Sequence, residues 1–500
     1  MRLNYVANAL SETMRYTGFV ILVPVLVALY CHDFNSILPF VTASLVAILG
    51  SWVLKRIVPN TRNLENLNDI KKDEALFIVA FSWIVFGLIS AIPYLFYGLS
   101  PLNSLFEAVS GITTTGATIL THFDYPKAFF FWRAFSQWLG GLGIIVLFIA
   151  ILPQFAVAGR QMFFAEAPGP TEDKFTPRIR NTASALWRIY LGLTVLEIVL
   201  LYLAKMPLFD AVCNSLSTLS AAGFSPNPES IMGYHSVQIT WIVLVFMFFA
   251  GASFNLQYKV ISQKKPMLLF KNEEFRLYTI LVLLMTGFIT VSLCLNNGFG
   301  IFKNFTDALF QVVSLTTSTG SASADFIQWN YTSKAFLFVV MFMGSCASSA
   351  GGGIKMARWL VVFKTMKSEI TKILHPNAII NIKVDGKTVQ PEVARQIIVF
   401  VFFYFLIFAV IGVLLSIFEG DTVLGLTGAI SALGNIGPSL APSLGPMGSF
   451  DGLEAASKSI MIVGMLVGRL EIIPFLVMFQ KDFWRAQMRN ELQKRLFNIG

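Results

Sequence analysis

Apolar residues run for 18 positions or more again and again along this chain. The runs are separated by basic loops or by short stretches rich in Ser, Thr, Ala and Gly. A hydrocarbon layer of about 30 Å needs about 20 apolar residues to cross it as a helix. The long runs therefore predict ten spans, roughly 17–31, 36–54, 74–97, 129–152, 184–204, 237–257, 277–296, 334–364, 396–418 and 456–479. Four further segments, 101–116, 208–223, 302–320 and 422–437, are too short and too polar to cross. Each predicts a half-helix that enters the membrane and turns back.

Those four segments are altered copies of one pattern. They end Ser110-Gly111-Ile112-Thr113-Thr114-Thr115-Gly116, Ser217-Thr218-Leu219-Ser220-Ala221-Ala222-Gly223, Ser314-Leu315-Thr316-Thr317-Ser318-Thr319-Gly320 and Ser431-Ala432-Leu433-Gly434-Asn435-Ile436-Gly437. A serine stands six residues before the final glycine in all four. Self-similarity at a spacing of roughly a hundred residues marks a repeat architecture. The expected fold is all-α and polytopic, with four membrane–pore-loop–membrane units around one axis behind an extra N-terminal hairpin. The boundaries expected are 1–70 for the hairpin, 71–155, 156–265, 266–375 and 376–480 for the units, and 481–500 for a basic tail lying on the inner surface.

Composition agrees: 55% of residues are hydrophobic, 13% charged, and the mean hydropathy is +0.68. The net charge of +9 is a topology signal before it is a binding patch, and nucleic acid is not implied. With alternate loops assigned to opposite sides, 30 of the 37 Lys and Arg fall on one side and 6 on the other, with Arg469 left inside a span. The positive-inside rule puts both termini in the cytoplasm. All four glycine-ended segments then lie on the outer, lysine-poor side. The four cysteines are scattered without CxxC spacing and support neither a disulfide framework nor a metal site. Within the longest inner loop, about 367–392, Asp385-Gly386 between alternating residues predicts a small hairpin.

Non-helical backbone survives at membrane depth only where it faces protein or water. A segment that stops inside the membrane must therefore line a cavity, where its carbonyls can replace the hydration shell of a cation. Glycine at the turn permits φ > 0. A helix aiming its C-terminal end at the axis adds partial negative charge there.

These motifs, with Ala117-Thr118, Phe224-Ser225, Ser321 to Phe326 and Pro438-Ser439 following them, resemble the TrkH/TrkG/KtrB/HKT superfamily of potassium transporters, most closely its bacterial TrkH/TrkG branch. The resemblance covers essentially the whole chain. It implies a K⁺ path whose filter is formed by Thr114, Thr115 and Gly116, by Ala221, Ala222 and Gly223, by Ser318, Thr319 and Gly320, and by Asn435, Ile436 and Gly437. Some Na⁺-carrying relatives have serine at the first glycine position, so Gly116 favours K⁺. In the fourth copy Gly434 competes with Gly437, and the shared serine register favours Gly437.

The run Gly344-Ser345-Cys346-Ala347-Ser348-Ser349-Ala350-Gly351-Gly352-Gly353-Ile354-Lys355 interrupts the eighth span. Three consecutive glycines weaken a helix by about 1 kcal/mol each. A nucleotide loop is excluded by context, since Gly353-Ile354-Lys355 lies in an apolar run without the required Gly-Lys-Ser/Thr. The Gly140-Gly141-Leu142-Gly143 run reads as close helix packing. The resemblance makes 344–355 an intramembrane gate that few apolar contacts hold in place, with Arg469 beside it as a barrier. An intramembrane charge marks a functional site by default. Glu471, on another face, is not the expected partner of Arg469. Glu107, Asn214 and Gln311 share one position nine residues before the glycine and are expected to brace the half-helices or to tint the outer vestibule negative. Asp210 and Asp307 are expected near half-helix starts, and Glu197 in an interhelical pair.

The expected function is K⁺ uptake by a pore subunit, with no cofactor and K⁺ as the transported ion. Coupling to H⁺ or Na⁺ through the same path is the alternative, since no acidic pair announces a proton relay. An intramembrane enzyme has little support, because no HExxH occurs and no His lies deep in a span. The resemblance also implies a bacterial inner-membrane location, a homodimer, surrounding lipid, and a cytosolic nucleotide-binding regulatory subunit of the TrkA type.

Overall fold

Short helices that stop inside the protein organise the fold. The computed structural model describes residues 3–57, 72–151, 175–298, 300–378 and 380–472. The basic tail, the end of the last expected span and the connectors 58–71 and 152–174 lie outside them. Helices α1 (Leu3–Val20) and α2 (Val23–Tyr30) join into one apolar stretch, Val6–Tyr30, and α3 (Ile37–Ile57) returns against α1. The first span therefore starts well before position 17. Backbone bonds from Ile21 N–H to Thr17 and from Val25 N–H to Leu22 carry the chain through the break at Ile21-Leu22, with Pro24 in the first turn of α2.

The first repeat is α4 (Lys72–Phe96), α5 (Pro101–Ile112) and α6 (Lys127–Ile151). The second is α7 (Phe175–Leu203), α8 (Leu208–Leu219), α9 (Val237–Gly251) and α10 (Phe254–Gln263), followed by the single-turn α11 (Met267–Lys271). The third is α12 (Glu273–Asn297), α13 (Ile301–Thr316), α14 (Tyr331–Met341) and α15 (Met356–Leu374). The fourth is α16 (Pro391–Glu419), α17 (Thr422–Gly434) and α18 (Ala455–Arg469). Between α15 and α16, β1 (Lys383–Val384) and β2 (Lys387–Thr388) pair antiparallel. Asp385 (φ +49°) and Gly386 (φ +78°) form the two-residue turn, as a type I′ hairpin requires.

The 12 residues of α5 rise about 18 Å, little more than half the hydrocarbon thickness. Ser100 caps this helix on Asn103 N–H, with Pro101 at its first turn. Asp421 caps α17 through Val423 and Leu424 N–H at 2.8 and 3.2 Å. Each of α5, α8, α13 and α17 packs between the helices before and after it in its own repeat. The helix that follows it also touches the corresponding helix of the next repeat: α6 on α8, α9 on α13, α14 on α17, and α18 back on α5. The last contact closes the set into a ring of four.

Two of the expected spans are interrupted. The eighth breaks between α14 and α15 at the glycine-rich run. The sixth, read from hydropathy as continuous over 237–257, bends by 99° between α9 and α10. Hydropathy sees no break there because the strongly apolar α9 carries the window over the first residues of α10, which is itself half polar. Among the described residues, six helices are long and apolar enough to cross a membrane unaided, and the bent pair makes a seventh.

Candidate functional site

The four glycine turns share one backbone geometry. Left-handed residues stand two apart in each: Thr114 and Gly116, Ala221 and Gly223, Ser318 and Gly320, Asn435 and Gly437. The residue between them donates its N–H back to the common serine's carbonyl. Thr115 reaches Ser110 at 2.9 Å, Ala222 Ser217 at 3.1 Å, Thr319 Ser314 at 2.8 Å and Ile436 Ser431 at 2.9 Å. The serine six residues before the glycine is therefore the anchor of its turn. Its hydroxyl adds a second tie, Ser110 to Ala117 O and Ser314 to Ser321 O at 2.6 Å, and Ser431 to Gly437 O at 2.5 Å. In the second copy Gln137 intervenes: Ser217 donates to its Oε1 at 2.7 Å and its Nε2 donates to Ala222 O at 3.1 Å.

The turns meet one another in sequence. A Cβ on Gly116 would fall on the carbonyl oxygen of Ala222, on Gly223 on that of Thr319, on Gly320 on that of Ile436, and on Gly437 2.7 Å from that of Thr115. Each glycine thus abuts the oxygen just before the next glycine, and the fourth abuts the first. Gly437 occupies this ring, whereas Gly434 is the last helical residue of α17. Asn435 adds a side-chain tie across the closure, donating to Thr115 Oγ1 at 3.0 Å and to Met465 O at 2.9 Å. Glycines on the flanking helices let them approach the base of the ring: a Cβ on Gly140 would meet Ile112 O, on Gly141 Ser220, and on Gly468 Leu433 O.

The run 344–355 lies directly against that base. A Cβ on Gly351 would strike Thr317 O and on Gly352 Gly434 O, while Gly352 N–H donates to Ser318 Oγ at 2.6 Å. The loop is closed at its neck by Gly344 N–H to Ile354 O and Met356 N–H to Ser345 O, both 3.0 Å. Its amides also cap the 99° break: Cys346 N–H donates to Gly251 O at 2.9 Å, Ala350 N–H to Ala250 O at 3.4 Å, and Ser348 O accepts Phe254 N–H at 3.0 Å. Glu274 accepts from Ala347 and Ala357 N–H at 2.6 and 3.0 Å. Ser349 Oγ bonds Ser345 Oγ at 2.6 Å and Cys346 O at 2.5 Å, Gly353 sits at φ +70°, and the buried Lys355 ammonium donates to Gly351 O. The expectation of a loosely held loop is therefore corrected. Cys346, Ile354 and Ala350 are buried in the hydrophobic core, and hydrogen bonds hold the rest of the loop.

Arg469 is buried, and Glu471 does not pair with it; Glu471 binds Arg358 of α15. The Arg469 guanidinium donates to Ala350 O of the loop at 3.0 Å and to Gly140 O of α6 at 2.9 Å. It thus joins the loop beneath the third and fourth turns to the helix that supports the first and second.

The TrkH family model, described as cation transport protein, matches residues 43–487. The chain belongs to the TrkH family. It is 35% identical to the Trk system potassium uptake protein TrkH of Salmonella typhimurium over 430 residues, covering 85% of this chain and 88% of that one. With the Halomonas elongata protein of the same name it is 34% identical over 495 residues, 97% of this chain and 100% of the other. The crystal structure of the potassium transporter TrkH from Vibrio parahaemolyticus superposes with a TM-score of 0.87 at 31% identity, covering 97% of this chain and all of that one. This TrkH-family chain is a multi-pass membrane protein, and its relatives are named as transporters, not enzymes.

Several residues that build the site in this TrkH-family chain escaped the sequence reading. Gln137 is a polar residue within an apolar helix, a signal that by default marks function, whereas Glu274 lies in the charged first turn of α12, where an acid reads as an ordinary helix-end charge. Glu107 does not tint a vestibule: it is fully buried and paired with Arg133 at 2.7 Å. It also accepts from Thr118 Oγ1 at 3.1 Å and Ile119 N–H at 3.0 Å, so it braces the return of the first turn. Asn214 bonds Tyr234 Oη at 3.1 Å and Gln311 bonds Ala324 O at 3.3 Å, bracing in the same way. Asp210 lies in the first turn of α8, whereas Asp307 sits in the second turn of α13 with Ser323 at 3.3 Å. Glu197 is buried and forms no ion pair among the described residues; the Thr218 hydroxyl of the neighbouring α8 faces its carboxyl. Removing one partner of a buried ion pair leaves a desolvated charge at a cost of about 3–5 kcal/mol. Glu107→Gln is expected to lose that much stability, and the double change Glu107→Gln/Arg133→Gln less than the sum of the two singles; thermal unfolding in detergent measures both.

Proposed function

We propose that this protein carries K⁺ into the bacterial cell through one path on the axis of its four repeats, across the inner membrane and with both termini cytoplasmic. The observation that carries the reading is the closed ring of four glycine turns. Carbonyl oxygens of Thr115, Ala222, Thr319 and Ile436 stand beside the four glycines, and such oxygens can stand in for the water shell of an alkali ion. The middle N–H of every turn points back to its own helix, which leaves oxygen as the chemistry offered to the axis. Four helix C-terminal ends converge there and add negative potential.

In this reading Thr114 to Gly116, Ala221 to Gly223, Ser318 to Gly320 and Asn435 to Gly437 form the filter, and 344–355 with Arg469 forms the gate beneath it. The relatives' shared name as potassium uptake proteins supports K⁺ as the ion. A homodimer and a TrkA-type cytosolic regulator are part of the proposal, as are the repeat boundaries given above. The test is growth of a K⁺-uptake-deficient bacterium at low K⁺. The native chain is expected to restore growth and to accumulate K⁺ in washed cells; normal membrane expression without either refutes the proposal.

A further inference from the structure

The cytoplasmic hairpin is wired to the intramembrane loop through the first turn of α12. At its tip, Asp385 accepts from Asn272 Nδ2 at 2.6 Å and from Glu273 N–H at 2.7 Å. Asn272 is the N-cap of α12, its Oδ1 accepting from Phe275 N–H at 2.8 Å. The hairpin carboxylate therefore sits on the positive end of that helix. Glu273 binds Lys364 of α15, whose ammonium also donates to Lys383 O of the hairpin. The next residue, Glu274, grips the loop on both sides of its neck through Ala347 and Ala357 N–H. Three consecutive residues, 272 to 274, thus touch the hairpin, α15 and the loop.

The links differ in strength. The Asp385 contacts are solvent-exposed, where such bonds contribute little and are easily displaced. The Glu274 contacts are part-buried, charge-assisted bonds to backbone amides, about twice as strong as neutral ones. A disturbance at the inner surface therefore breaks the outer link first and reaches the loop as a change in where α12 begins.

We propose that Glu274 is a positioning residue for the intramembrane loop, and that the Asp385 hairpin is the lever through which the cytoplasmic face biases it. The inference rests on the loop's being the gate, and its test separates the two. Cys346 lies in the loop and is 1% exposed, so its rate of reaction with a small water-soluble methanethiosulfonate reports loop opening. The full chain, with Cys31→Ser, Cys213→Ala and Cys294→Ser, is placed in lipid vesicles, and Cys346 labelling and K⁺ flux are both followed.

Asn272→Asp keeps the helix cap but removes the donor to Asp385 and sets two carboxylates together. It is expected to speed Cys346 labelling about fivefold, the lower end of the range for coupling between sites. Asp385→Asn, which an I′ turn accepts, is expected to act the same way, and Glu274→Ala, which removes the one oxygen that accepts both loop amides, more strongly. The double change Asn272→Asp/Asp385→Asn exchanges donor and acceptor and is expected to return labelling to the native rate, which a merely unfolded protein would not do. Native labelling in Asn272→Asp overturns the lever, and native labelling in Glu274→Ala overturns the positioning role. Faster labelling with unchanged K⁺ flux upholds the linkage and overturns the gate.

Discussion

Alanine at Gly116, Gly223 or Gly320 is expected to abolish growth rescue at low K⁺, and alanine at Gly437 to do the same. Two effects combine at each position. The residue sits at positive φ, between +76° and +101°, where a side chain costs about 1–2 kcal/mol. Its new methyl would also displace the carbonyl oxygen of the neighbouring repeat, an oxygen that lines the K⁺ path in the function proposed above. Gly98 (φ +88°) and Gly420 (φ +68°) separate the two effects, since a Cβ there meets nothing within 4 Å. Alanine at either is expected to lower thermal stability slightly and leave rescue intact. Equal loss of rescue in all six variants would mean that backbone strain, not the ring, governs transport. Serine at Gly116 is expected to admit Na⁺ alongside whatever K⁺ still passes, measured as Na⁺ inhibition of Rb⁺ uptake.

The ring was legible in the sequence because its elements are local and repeated. Each copy carries its own glycine, its own anchoring serine and its own short helix, and alignment of four copies exposes what one would hide. The Asp385-Gly386 hairpin was legible for the same reason, its turn chemistry being complete within two residues. Contacts that join distant segments left weaker traces. Glu107 and Arg133 lie 26 residues apart on different helices, and either could have faced the vestibule. The bend after Gly251 was hidden because its open backbone groups are satisfied by loop residues nearly a hundred positions later. That dependence runs both ways: the glycine-rich loop folds as it does because α9 stops where its carbonyls can receive Cys346 and Ala350. Two broken helices, α9/α10 and α14/α15, complete one another's hydrogen bonding, as irregular backbone at membrane depth requires.

Removing the guanidinium at Arg469 is expected to raise K⁺ flux. The side chain is 3% exposed and donates to the carbonyls of Ala350 and Gly140, with the Trp83 ring 5.8 Å away and, among the described residues, no salt bridge to a carboxylate. Placing such a charge in a membrane costs about 2.5–3.5 kcal/mol, a cost that plain packing would not require. A K⁺ ion about 8 Å from it, at an effective dielectric of about 20, meets a repulsion of about 2 kcal/mol, roughly thirtyfold in rate. Arg469→Ala removes both this repulsion and the tie between loop and α6, so flux in vesicles is expected to rise on the order of tenfold or more. Arg469→Lys keeps the charge but cannot reach both carbonyls with one planar group, so its rise is expected to be smaller. The difference between the two variants divides electrostatic barrier from mechanical latch. Unchanged flux in both, at normal expression, would remove Arg469 from control of the path. A fall in both would mean that the guanidinium supports the ring above it instead of barring the way below.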